Sequence, residues 1–307
     1  DGMPDVKALN AAAKDVAKAL KNSTLVVIKS TVPLGTNRAV AKIISQENPD
    51  ADFDIASNPE FLREGNAIKD FMSPDRIVCG IDSKRAKEML TKLYEPICLN
   101  GPQIFFTTFE SAEMIKYAAN SMLALRIAFI NEVADLCERT GANIRDVSRG
   151  IGMDKRIGDK FLQPGPGYGG SCFPKDTLAL RQMARNAGCA SKLMEATIES
   201  NDERKVTMAK RILTALGDGK DKTVAVLGLT FKPGTDDMRE SPSIAIIPEL
   251  QKAGVAIRAY DPQGMKEAAK FLSGVTYCKD AYDAMQAADA VVILTEWNEF
   301  RHLELKQ

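Results

Sequence analysis

The stretch KTVAVLGLTFKPGTDDMRESPSIAIIPELQKAGVAIRAYDP, residues 222–262, decides the fold. Its first ten residues, KTVAVLGLTF, read as a strand that opens an alternating unit. SPSIAIIPELQKAG then reads as a helix opened by Ser241 and Pro242 and closed by a glycine. VAIRAYDP returns to strand, and DAYDAMQAADAVVILTEW adds a helix and a third strand. The order β-loop-α-β-α-β argues a parallel sheet covered by helices, a Rossmann-like unit.

Working outward, residues 1 to about 107 alternate in the same way. A helix spans about Val6 to Leu20, followed by the strand run TLVVIKSTVP and a helix near Asn37 to Ser45. DFDIASNP, DRIVCGI, SKRAKEMLTKLYEPI and QIFFTT follow as strand, strand, helix and strand. The start, DGMPDVKALN, has no initiator Met and runs directly into a helix, so it reads as a chain entered in mid-domain. Between the two alternating regions, Glu110 to Thr140 keeps helical periodicity without proline or glycine. A helix of that length, roughly 45 Å at the standard rise, exceeds what one small domain covers. It joins two domains and offers a face for dimerisation. The expectation is α/β: two Rossmann-like parallel-sheet domains joined by a long central helix, over residues 1–108, 109–215 and 216–307.

Composition narrows the function. The 307 residues are 45% hydrophobic and 27% charged, an ordinary globular balance. Lys plus Arg (41) equals Asp plus Glu (41), so no global field recruits nucleic acid or an anionic membrane, and an anionic ligand must be held locally. Six cysteines lie scattered without C-x-x-C spacing, which argues against a metal site or disulfide framework and fits a reducing cytoplasm. No apolar span approaches the length of a membrane helix. The one histidine, His302, stands near the C-terminus, so a Cys-His or Ser-His pair has little to draw on.

The chemistry-bearing stretch is GYGGSCFPKD, Gly167 to Asp176. Pro174 suits the first turn of a helix, which puts Cys172 at a helix start beside Lys175, where a thiolate is favoured. A small buried cysteine in a tight turn is the plainer reading. Gly165, Gly167 and Gly170 match G-x-G-x-x-G but follow the polar, proline-closed GDKFLQP rather than a strand. They read instead as a loop whose backbone approaches a ligand. Thr31, in STVPLGT, ends a strand and serves equally as a ligand contact or a strand-to-helix cap. In SNPEFLREGNAIKDF, Asn58 caps and Pro59 opens a helix, with Glu60 and Glu64 on one face; a solvated helix start explains them as well. Lys116 and Asn120 have the same spacing beside the apolar face of the long helix, as a donor pair or as surface residues. Phe231, Lys232 and Arg239 near a strand end suggest a base to stack and phosphates to neutralise.

Taken in order, S-T-V-P, N-P-E-F-L-R-E-G, K-x-x-x-N, G-Y-G-G-S-C-F-P-K-D and G-L-T-F-K-P-x-T-D-D-x-R-E-S resemble the nucleotide-sugar dehydrogenases of the UDP-glucose/GDP-mannose dehydrogenase family, over essentially all 307 residues. The resemblance implies a homodimer that oxidises a sugar C6 alcohol to a carboxylate with NAD, through a cysteine thiohemiacetal and thioester. It implies Cys172 as nucleophile, Lys116 and Asn120 as oxyanion donors, Asp176 as the group that positions or deprotonates water and alcohol, and Glu60 as acid/base. Ser30, Thr31, Val32, Glu64, Lys175 and Arg239 correspond to NAD contacts. Glu60, Phe61, Leu62, Arg63, Lys116, Asn120, Arg156, Gln163, Tyr168, Gly169, Phe231 and Lys232 correspond to sugar-nucleotide contacts, with Arg156 reaching across a dimer interface. FLQPGPGYGGSCFPKD is more similar to members acting on UDP-glucose than to GDP-mannose or UDP-amino-sugar relatives. The family's opening strand with its G-x-G-x-x-G loop, and its closing strand with a substrate-binding arginine, have no counterpart here. The first domain is therefore expected to be incomplete, and an inactive sugar-nucleotide-binding fragment is the third reading.

Overall fold

The computed structural model describes residues 2–99, 101–217 and 219–304. The chain gathers into two units: Asp1–Asn120 with Leu178–Ala190, and Ser121–Thr177 with Ser191–Gln307.

The first unit runs α1 (Lys7–Ala19), β1 (Thr24–Ile28), α2 (Thr36–Glu47), β2 (Phe53–Ser57), α3 (Ala67–Met72), β3 (Ile77–Gly80), α4 (Lys84–Cys98) and β4 (Ile104–Thr107). Its sheet has the order β1-β2-β3-β4. Period-two alternation splits the core between its faces. Ile28 and Ile55 join Ala13 and Ala17 of α1 and Val40 and Ile44 of α2, while Ala56, Ile77 and Cys79 meet Leu90 and Tyr94 of α4 on the other face. The β1/β2 and β3/β4 pairs are parallel. The link between β2 and β3 is one antiparallel pair, Ser57 with Gly80. The intervening chain contains only α3, which buries no residue, so no helix covers a sheet face to carry a parallel crossover there.

The long helix α5 (Phe109–Thr140) has 32 residues. It is followed by α6 (Ile144–Gly152), α7 (Phe173–Asn186) and α8 (Lys192–Leu216). The partition runs through α5 after Asn120 and through α7 after Thr177. Within the first unit, fully buried Tyr117 of α5 packs on Ala179 and Met183 of α7. The expected middle region, 109–215, is thus shared between the two units.

The second unit continues with β5 (Thr223–Leu227), α9 (Pro242–Lys252), β6 (Ala256–Tyr260), α10 (Met265–Ala268), β7 (Val275–Tyr277), α11 (Ala281–Met285) and β8 (Ala290–Ile293), then a single 3-10 turn over Asn298–His302. The sheet order is β7-β6-β5-β8, all parallel. Central β5 is buried on both faces, which is why TVAVL is continuously apolar. Val224 and Val226 pack with Ala209 of α8 and Ile246, Ile247 and Leu250 of α9, and Ala225 and Leu227 pack with Ala281, Ala284, Trp297 and Phe300. Among the described residues, no helix is long and apolar enough to cross a membrane, and no cluster of His, Cys, Asp or Glu could hold a metal ion.

Candidate active site

In the first unit the candidates collect where β1 and β2 end. Ser30 is exposed and Thr31 half-buried. The Val32 side chain lies in the core, so as a cofactor contact it offers only its backbone. Beyond it, Gly35 takes a left-handed φ of 84° before α2. The carboxylate of Glu113, only 2% exposed, accepts from Gly35 N at 2.7 Å, Asn37 N at 2.9 Å and Asn37 Nδ2 at 2.7 Å. An acid from α5 thus satisfies the donors of a helix start whose N-cap is a glycine, and fixes the loop that follows Thr31.

The expectation of a helix at Pro59 is not met. Residues 58–66 form an irregular turn, and helix begins only at Ala67. Glu60 and Glu64 therefore share no helical face. The physical reason is that Asn58 is buried and its amide is already used. Its Oδ1 accepts from Lys29 Nζ at 2.8 Å and from the Tyr94 hydroxyl, and its Nδ2 donates to the Val78 carbonyl at 2.8 Å. With no cap, and with Gly65 at a left-handed φ of 78°, side chains close the turn. Glu60 Oε2 accepts from Leu62 N, while Glu60 Oε1 accepts from Lys116 Nζ at 3.3 Å. Lys116 is 3% exposed and Asn120 7%, so both belong to the interior rather than the surface. The Phe61 ring carries the Arg76 guanidinium at 4.0 Å and the Lys116 ammonium at 5.2 Å. The Arg63 guanidinium is committed to Asp70, whose carboxyl it holds down at about 2. Glu64 is half-buried in the same turn.

In the second unit, α7 starts at Phe173 with Pro174 in its first turn, as read from the sequence. The Cys172 carbonyl accepts from Asp176 N at 2.9 Å, so the half-buried cysteine stands immediately before the helix. Its Sγ lies 3.6 Å from Ser171 Oγ. Asp176, 1% exposed, accepts from Lys175 Nζ. Two of the glycines before Cys172, Gly169 and Gly170, are closely approached by the protein itself. A Cβ on Gly169 would sit 2.3 Å from the Glu240 carbonyl, and one on Gly170, at φ +81°, 2.7 Å from the Phe231 ring. The close approach is to the protein's own 231–240 segment, and Gly170 N donates to the Arg239 carbonyl at 2.8 Å. One part of the Phe231 ring is thereby occupied, and Lys232 Nζ lies 5.4 Å from its centroid. Tyr168 is buried edge-on against Phe173 at 6.2 Å, and burial pushes its phenol up to about 12. Gln163 is exposed and Gly169 buried. Arg156 and Arg239 place their guanidinium groups on Asp154 and Asp237.

The sequence reading missed the residues that hold this loop. Asn131 Oδ1 accepts from Gly165 N at 2.8 Å, Asn201 exchanges hydrogen bonds with the Tyr168 backbone, and Arg204 donates to the Gly165 carbonyl at 3.0 Å. Lys205, 8% exposed at its side chain, pairs with Glu240 at 3.8 Å. Asp261, fully buried, accepts from Leu229 N, Thr230 N, Gly264 N and Trp297 Nε1, which shapes the loop after β5. The available signal was polar residues at interior helix positions, Asn201, Arg204 and Lys205 in ESNDERK, which a surface reading absorbs without remainder.

Two Rossmann-like sheets with polar groups at their strand ends define an α/β nucleotide-binding architecture, with a free cysteine placed at a helix start. The chain belongs to the UDP-glucose/GDP-mannose dehydrogenase family. Residues 1–98 match its NAD binding domain, 110–203 its central domain and 225–307 its UDP binding domain. It is 53% identical to a UDP-glucose 6-dehydrogenase of Rhizobium meliloti, over 99% of this chain and 70% of that one. It is 47% identical to one of Bacillus subtilis, over 99% and 66%. A UDP-glucose dehydrogenase structure from Pyrobaculum islandicum superposes with a TM-score of 0.94 at 38% identity, covering 99% of this chain and 71% of that one. A UDP-D-ManNAc dehydrogenase structure from Pyrococcus horikoshii gives 0.85 at 28%, covering 99% and 70%.

Proposed function

We propose that the protein catalyses the four-electron oxidation of UDP-glucose to UDP-glucuronate, with Cys172 as nucleophile. The observation that carries this is the cysteine held at the start of α7, one helical turn before a buried carboxylate, in a chain 53% identical to a UDP-glucose 6-dehydrogenase. The strand end after β1 fits the NAD of this family: Ser30 is exposed, Thr31 is half-buried, and a Cβ built on Gly35 meets nothing within 4 Å. Ser30, Thr31, the Val32 backbone, Glu64, Lys175 and Arg239 are the residues proposed to hold it. When bound, NAD supplies the two-electron acceptor for each of the two oxidations.

The protein's own residues manage the protons and the covalent bond. Asp176, which pairs with Lys175, takes the proton of the C6 alcohol. The Cys172 sulfur adds to the aldehyde carbon and converts it to a tetrahedral thiohemiacetal, because a flat aldehyde has no C–H bond that can be oxidised in place without an added nucleophile. Lys116 and Asn120 donate to the oxygen that gains charge. Oxidation of the thiohemiacetal gives a thioester. Water then adds, the C–S bond breaks, the thiolate leaves, and Glu60 relays the proton. Phe61, Leu62, Arg63, Arg156, Gln163, Tyr168, Gly169, Phe231 and Lys232 are assigned to the sugar nucleotide, with the 1–108, 109–215 and 216–307 segments as NAD, central and UDP-sugar domains. The test is uronate formation with UDP-glucose, GDP-mannose and UDP-N-acetylmannosamine. We expect UDP-glucose to give the highest kcat/KM, and equal or better turnover of either competitor would overturn the assignment.

The same reading includes a homodimer in a reducing cytoplasm, in keeping with six free cysteines. Met122, Phe129 and Leu136 project from α5 at heptad spacing and are 57%, 53% and 60% exposed, a stripe suited to a second copy of the same helix. Phe129→Asp should turn a dimer into a monomer in sedimentation at micromolar concentration.

A further inference from the structure

Lys29, at the end of β1, has no part in the mechanism above. The residue as a whole is exposed, but its Nζ is anchored at a part-buried spot, donating to Asn58 Oδ1 at 2.8 Å and approaching the Tyr94 hydroxyl at 3.4 Å, with the Phe71 ring 5.9 Å away. A lysine held against the buried amide of the residue two before Glu60 needs an explanation, because burial disfavours its charge and lowers its pKa. Of the groups around it, the Glu60 carboxylate favours the charged form of the ammonium, while the Cys79 thiol, pushed up to about 12 by burial, stays uncharged.

The attachment of Asn58 explains the arrangement. Its backbone N–H donates to the Ile28 carbonyl at 2.9 Å. Its Nδ2 donates to Val78 O and lies 3.7 Å from Cys79 Sγ. Its Oδ1 receives both Lys29 and Tyr94. Asn58 is therefore pinned to β1, β3 and α4 at once, and Pro59 and Glu60 follow directly from it. Lys116 reaches Glu60 from α5. We propose that Lys29 is a positioning residue for the Glu60 carboxylate: it locks the asparagine from which the Glu60 turn hangs and adds a second positive charge to that of Lys116.

This inference rests on Glu60 acting as acid/base, and the experiment separates the two. Lys29→Met and Lys29→Arg are assayed in the full chain beside Glu60→Gln, with kcat, both KM values and the pH profile of kcat. Lys29→Met should lower kcat by about ten- to a hundredfold through a misplaced carboxylate, with both KM values within about threefold. Lys29→Arg keeps a charge that cannot titrate in this range, so it should recover most of kcat and move the alkaline limb of the profile to higher pH. The ionisable groups facing Lys29 and Glu60 are Cys79 from β3, Tyr94 from α4 and Lys116 from α5; burial pushes the Cys79 thiol up to about 12 and the Tyr94 phenol upward, so a limb that moves in Lys29→Arg and is lost in Lys29→Met is assigned to residue 29. An unchanged kcat in Lys29→Met, a loss confined to KM, or an unmoved limb in Lys29→Arg would overturn the proposal. If Lys29→Met does not fold, the Lys29→Arg profile decides. A fully active Glu60→Gln would instead remove the acid/base reading, whereas a slow Glu60→Gln beside an unaffected Lys29→Met would remove this inference alone.

Discussion

Two short segments with similar grammar, SNPEFLREG at 57–65 and SCFPKDTLA at 171–179, have opposite outcomes. Each sets a capping-type residue before a proline and an acid shortly after it. The second becomes the first turn of a 14-residue helix, and the first becomes a turn with no helix until Ala67. Downstream of Pro174 come Leu178, Ala179, Leu180 and Met183, strong helix formers with an apolar side to bury. Downstream of Pro59 come Gly65 and Asn66, and the one good cap, Asn58, is drawn away by Lys29, Tyr94 and Val78. A helix start needs both a free cap and a stripe to bury. Asp176 is consequently fixed by helical backbone, and Glu60 by side chains from distant parts of the chain.

The sharpest way to break this comparison is Asn58→Ala. A mere N-cap would cost about 1 kcal/mol. A buried amide joining three elements should cost about 3 kcal/mol, because it leaves the Lys29 ammonium and the Val78 carbonyl without their partner; denaturant unfolding measures the difference. Pro174→Ala, on the helical side, should change stability by less than about 1 kcal/mol, since proline there only pre-sets an angle that alanine also adopts. The smallest effect belongs to the Arg63 to Asp70 link that closes the irregular turn. The Asp70 carboxyl is lowered from 3.8 to about 2 in the fold, so its contribution is present above pH 3.8 and is lost as pH falls through about 2. Acid unfolding of Asp70→Asn should lack that small loss and otherwise follow the parent; an identical acid limb would mean that the pair carries no stability.

Much of the architecture was legible because its signals are local. The continuous apolar run of β5, the alternation on either side and the unbroken periodicity of α5 each report burial directly through residue type. The Cys172 helix start was legible for the same reason. What escaped the sequence is tertiary. Asn58 reads as a cap until Lys29 and Tyr94 are brought to it. Gly169 and Gly170 also admit Phe231 and Glu240 at close range, a contact that the glycine spacing alone does not reveal. Asn201, Arg204 and Lys205 read as solvated helix positions until the glycine loop covers them. Sidedness for polar residues is set by a partner far along the chain, and no local pattern encodes that partner.

The central claim is that Cys172 carries the substrate covalently between the two oxidations. Its most direct test is mass spectrometry of the Cys172 peptide after acid quenching during turnover of UDP-glucose, in the parent and in Cys172→Ser. The account predicts a thioester adduct on the parent peptide that decays as uronate accumulates, and no uronate from Cys172→Ser. An unmodified Cys172 peptide throughout turnover, or undiminished uronate from the serine variant, would contradict it.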